Sequence, residues 1–128
     1  MVMRSPHIPA DRWVGNLLEA AELIANRQYQ ETRWLAADAH AWETPEEAIN
    51  ALDDCVLDGF IVQFAESFSP SQYEAVIAFR DAVHHWCVAT PQHLEPSGVL
   101  TDHDWEMVRA RASEFVRTFK GSWPNPEA

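Results

Sequence analysis

Apolar positions along the chain recur at steps of three and four, the period of one face of an α-helix, and no stretch of useful length alternates as a strand would. After Pro9, Ala10 and Asp11, the residues Trp13, Leu17, Ala21 and Ile24 make such a face in RWVGNLLEAAELIANRQYQ. Gln28 and Glu31 interrupt it before Leu35 resumes it, so this stretch is expected to be either two helices broken near Asn26 or one long bent helix. The next start is sharper. Thr44 stands as N-cap, Pro45 at the first helical position and Glu47 three residues after the cap, a capping box with the favoured proline. One helix is expected from there to Phe68, with Ile49, Leu52, Val56 and Phe60 as its apolar face. Ser69, Pro70 and Gln72 repeat the device, and Tyr73, Val76, Ile77, Val83, Cys87 and Val88 are expected to face inward. ATPQHLEPSGVL, with two prolines and a glycine, reads as the one substantial loop. Thr101 with Asp104 opens the last helix, which carries Trp105, Val108, Ala112, Phe115 and Phe119 at helical steps. Lys120 and Gly121 supply its cationic last turn and terminal glycine.

These elements predict an all-α fold, a single-domain bundle of four or five helices over residues 1–128, with short connections that favour antiparallel neighbours. Residues 1–9 read as an extended N-terminal arm, and 121–128 as a C-terminal tail with Trp123 as the residue able to anchor it. Nothing repeats at a period of 20 to 50 residues.

Composition agrees with a packed domain: 47% of the residues are hydrophobic and six Trp and six Phe are spread along the length. No signal-peptide pattern opens the chain and no 18-residue window lacks charge, so a cytoplasmic location is expected. The two cysteines, Cys55 and Cys87, fall in apolar helical segments and are expected reduced and buried. A net charge of −11 disfavours nucleic acid and anionic membrane as partners, both of which attract Lys and Arg, and leaves a basic protein as the natural one.

The stretch AVHHWC invites a metal or catalytic reading. His84 and Cys87 lie one helical turn apart, but a zinc site wants three or four ligands. His40, His93, Asp102 or His103 would have to complete it, and there is no HExxH or CxxC. Phosphohydrolases with an H…HD…D order would use His84 or His85, then His103 and Asp104, yet no aspartate follows Asp104. Asp54 and Asp58, four apart, could hold magnesium against a phosphate, but isolated pairs of this kind are common on solvated helices. In the paired-glutamate pattern of helical nucleotide pyrophosphatases, Asn50 stands where a third carboxylate should be. No cofactor, metal or catalytic residue is therefore expected, and His84 and Cys87 are expected to be buried without metal.

Charge is distributed unevenly. Residues 34 to 79 hold nine acidic side chains, Asp38, Glu43, Glu46, Glu47, Asp53, Asp54, Asp58, Glu66 and Glu74, and no Lys or Arg. Glu47, Asp54 and Asp58 form one stripe, with Asn50 and Asp53 beside them, opposite the apolar face. Without cations at i,i+4 the stripe repels itself, and its field suits the steering of a basic partner. Part of it could be offset by Arg109, Arg111, Arg117 and Lys120 of the last helix. The expected binding surface is Glu43, Glu46, Glu47, Asp53, Asp54 and Asp58 with Trp34 and Trp42, since Trp anchors interfaces and at least one of Trp34, Trp42 and Trp123 is expected exposed.

In length, acidity, helical make-up and the combination of ETPEEAINALDDCVLD with several Trp, the chain resembles the small cytoplasmic immunity proteins that bacteria pair with polymorphic or contact-dependent toxins. The resemblance implies that it binds a cognate, basic toxin domain and occludes its active site, with acidic side chains standing in for substrate phosphates. The alternatives are a helical homo-oligomeric adaptor, for which a homodimer is the simplest form, and a metal-dependent bundle enzyme.

Overall fold

The computed structural model describes residues 10–35, 45–54, 57–89, 96–120 and 123. Among them are α-helices and no strand: α1 Ala10–Ala25, α2 Arg27–Arg33, α3 Pro45–Asp54, α4 Leu57–Phe64, α5 Pro70–Ala89, α6 Pro96–Leu100 and α7 His103–Phe119, with a 3-10 turn at Ala65–Ser67. The all-α bundle expected from the periodicity is what forms. The N-terminal arm, residues 1–9, and the tail apart from Trp123 lie outside the described residues.

Helix α7 is the central strut, packed chiefly against α5 and α1. It buries Trp105, Val108, Arg109, Ala112, Phe115 and Phe119, a stripe broad enough to face two neighbours at once. Both neighbours run antiparallel to it. On α5, Gln72 donates to the Thr118 carbonyl at one end, Phe79 stacks on Phe115, and Trp86 packs on Trp105 at the other end. On the opposite side Glu22 meets Lys120, while Arg27 reaches back to Glu106.

The first helical stretch breaks at Asn26, one of the two alternatives. The Asn26 side chain caps α2 by accepting from the Tyr29 amide at 2.9 Å. The break frees carbonyls in the last turn of α1, and a buried side chain takes them: Gln30 Nε2 donates to the Leu23 and Ile24 carbonyls at 2.9 and 2.7 Å. Its Oε1 in turn accepts from Trp105 Nε1 at 3.1 Å and Arg109 Nη1 at 3.4 Å, so one amide stitches the break to the central helix. Burial first, and then the charge of Arg27, hold the Arg109 guanidinium below its ordinary pKa, against the pull of Glu106 and Glu31.

The capping box at Ser69 is present. The Gln72 amide donates to Ser69 Oγ at 3.1 Å and the Ser69 amide to Gln72 Oε1 at 2.9 Å. At the other box, α3 begins at Pro45 as expected, while Thr44 lies outside the described residues.

Four expectations need correction. The inward face of α5 is Gln72, Ala75, Val76, Phe79, Val83 and Trp86. It is turned by one residue, about 100°, from the face the sequence suggests. Tyr73, Cys87 and Val88 are exposed, Val88 to 88%. Phe79 and Trp86 have more apolar surface to remove from water than those three, and they decide the rotation. Second, the helix does not run to Phe68: α4 ends at Phe64, where the backbone (φ −119°, ψ 10°) leaves the helical region, and a 3-10 turn follows; Cys55 and Val56, between α3 and α4, lie outside the described residues. Third, the long loop contains α6, which buries Val99 and Leu100 and is closed by Thr101 Oγ1 donating to the Gly98 carbonyl. Asp102, not Thr101, holds the N-cap position of α7, and its carboxylate accepts from Trp86 Nε1 at 3.0 Å. Fourth, Trp34, expected in the binding surface, is buried at 6% exposure; Trp123 is buried too, at 7%, which leaves the expectation of at least one exposed Trp to Trp42. Trp34 packs on Trp105, and Trp123 packs against Phe60 and Phe64. Trp42 lies outside the described residues.

Among the described residues no helix is long and apolar enough to cross a membrane.

Candidate functional site

Helices α3, α4 and the second half of α5 border a small cleft of about 160 Å³. Its floor is apolar, made by Leu52 of α3, Leu57 of α4 and Val83 of α5, all buried. Its rim is polar: Asp53 from α3, Asp58 from α4, and Arg80 and His84 one turn apart on α5. The alternation follows from helical period. Leu52 and Leu57 point at the bundle, so the residues directly after each, Asp53 and Asp58, fall at the solvent edge.

His84 Nε2 stands 3.8 Å from Asp58 Oδ2, with both side chains about two-thirds exposed. Arg80 donates from Nε and Nη2 to Asp81 Oδ1 at 3.2 and 3.0 Å, which occupies its charge beside the rim. On the other flank of α5, His85 Nε2 lies 3.4 Å from Asp104 Oδ1 of α7. Cys87 reaches solvent, in contrast to the burial expected of it, yet partial burial first and the Asp53 carboxylate second raise its thiol pKa. It is thus held in the protonated, poorly nucleophilic form.

Of the acidic residues singled out in the sequence, Glu47 and Asp53 are exposed on α3 and Asp58 on α4. Glu46 and Asp54 belong to α3, but their side chains lie outside the described set, as do Glu43 and Trp42 altogether. Among the described residues, three of the four cations expected to offset the stripe pair elsewhere: Arg109 meets Glu106, Arg117 meets Glu114 and Lys120 meets Glu22, all partners away from α3 and α4. Trp34 is removed from the surface set by its burial on Trp105.

Of the metal candidates, His84 and His103 are exposed and His40 lies outside the described residues. Among the described residues no group of three or more His, Cys, Asp or Glu is placed to hold a metal ion. At about 160 Å³ the cleft is also well below the roughly 300–1,000 Å³ of a pocket that encloses a small molecule. What it offers is two carboxylates over an apolar floor, with Arg80 turned to Asp81 and His84 beside Asp58. The sequence does not pair Arg80 and His84 with the acidic stripe, although their spacing of four residues puts them on one helix face. The partner across the cleft is a matter of tertiary packing.

Comparison with family models, with curated proteins and with solved structures returned no significant match.

Proposed function

We propose that this chain is an acidic, helical protein-binding module of the immunity type, which binds and neutralises a cognate basic toxin domain in the bacterial cytoplasm. The observation that carries the reading is the exposed placement of Glu47, Asp53 and Asp58 on α3 and α4, while Arg109, Arg117 and Lys120 pair elsewhere. A predominantly acidic face, held on helices rather than on loops, raises the rate at which an oppositely charged partner docks. Beside it, the cleft over Leu52, Leu57 and Val83 gives one partner Lys or Arg both a carboxylate pair and an apolar wall for its methylene stem. The carboxylates then stand where that toxin cation would otherwise contact a substrate phosphate.

The test is to purify the product of the gene adjacent to this one and mix it with the chain. A stoichiometric complex and loss of the toxin's activity are expected. No complex at micromolar concentrations of both, with full toxin activity retained, would remove the reading.

A further inference from the structure

Six large apolar side chains among the described residues stand open to solvent, and two exceed the rest: Val62 at 83% and Val88 at 88% exposure, against 41–52% for the other four. Both lie beside the acidic rim. Val62 follows Asp58 by four residues on α4 and Val88 follows His84 by four on α5, so each falls on the face of its helix that carries the Asp58–His84 pair. Asp58, at the start of α4, meets His84 in the second half of α5, while Phe64 and Pro70 are joined by a short turn; the two helices therefore run in opposite directions. One turn onward along each leads away from the pair on opposite sides, and the valines flank it. At the Val88 end the face continues to α3, because Cys87 is exposed and close enough for the Asp53 carboxylate to act on its thiol.

Helix stability does not call for valine at either place. A β-branched side chain loses rotamer freedom on a helix, and at these exposures it buries too little apolar surface to compensate, so Ala or Leu would make the more stable helix. We propose that Val62 and Val88 are the apolar contacts of the docking face, covered on either side of Asp58 when a basic protein surface that carries apolar side chains around its cations binds there. The inference rests on the preceding reading and adds to it what holds the complex once charge has brought it together. The face sets the chemistry of its occupant. Glu47, Asp53 and Asp58 call for cations, and the two valines call for aliphatic or aromatic side chains between or beside them. A second copy of this chain fits poorly, since it would set carboxylates against carboxylates.

The two kinds of contact separate kinetically, because long-range charge acts on the association rate and contacts made after docking act on dissociation. In the full-length chain, the double variant Val62→Ala, Val88→Ala should keep its helical circular dichroism and cooperative melt. Its association with the product of the adjacent gene should stay within about twofold of wild type, and its dissociation should be about tenfold faster. That acceleration should be the same at low and high salt, since apolar contacts are not screened. Unchanged dissociation, with Asp53→Lys, Asp58→Lys still slowing association, would overturn this inference and leave the acidic face standing. No complex with wild type would overturn both. Wild type sedimenting as a dimer that the valine variant dissolves would also overturn it, by giving the valines to a second copy.

Discussion

Replacing Phe60 with Ala is expected to destabilise the protein by about 3–5 kcal/mol, a large share of the roughly 5–15 kcal/mol that holds a domain folded. Phe60 is fully buried at the convergence of separate elements, its ring 5.9 Å from Trp13 of α1, 5.4 Å from Phe68 and 6.1 Å from Phe119 of α7. Truncation removes the transfer energy of the ring and leaves a void that rigid aromatic neighbours cannot close. Val62, two residues along the same helix and 83% exposed, is the control: Val62→Ala should change stability by less than about 0.5 kcal/mol. Chemical denaturation of both variants measures the contrast, and similar effects for the two would contradict the placement of α4.

Gln30→Leu is expected to cost about 2–4 kcal/mol although it places a hydrophobic residue of similar size in a buried position. The reason is asymmetry: the substitution strands the Trp105 Nε1–H and the Leu23 and Ile24 carbonyls, all of which Gln30 now satisfies. Arg109 loses one of its acceptors at the same time. Removing the stranded donor should recover part of the loss, so Gln30→Leu and Trp105→Phe combined should cost less than their sum by about 1 kcal/mol. Equilibrium unfolding of the four proteins closes the cycle. Strict additivity would show that the Gln30 amide does not join α2 to α7.

Much of the fold was legible because single residues carry strong local rules. Asn26 broke the first stretch, Ser69 and Gln72 capped α5, and Trp105 through Phe119 marked the buried stripe of α7. The rotation of α5 was not legible, because Val76 and Val83 belong to both candidate faces, and only packing against Phe115 and Trp105 selects Phe79 and Trp86 over Tyr73 and Cys87. The same error hid His84, which was assigned to the core and in fact stands at the acidic rim. Gln30 was missed as well: a polar residue inside a helical pattern gives no sign of burial until its partners, 75 and 79 residues away, are brought to it. The acidity of the middle third needed no structure, but the pairing of Arg109, Arg117 and Lys120 away from it did.

The account rests on the acidic rim of α3 and α4 as a docking face, and charge reversal there tests it most directly. Asp53 and Asp58 are both exposed, so the double variant Asp53→Lys, Asp58→Lys should keep its helical content and cooperative unfolding. Association with the product of the adjacent gene should be at least tenfold slower than for wild type at low salt. The difference should shrink as added salt shortens the screening length from about 10 Å at 0.1 M toward about 3 Å at 1 M. Wild type and variant associating at equal rates at both salt concentrations would contradict the acidic face as the binding site.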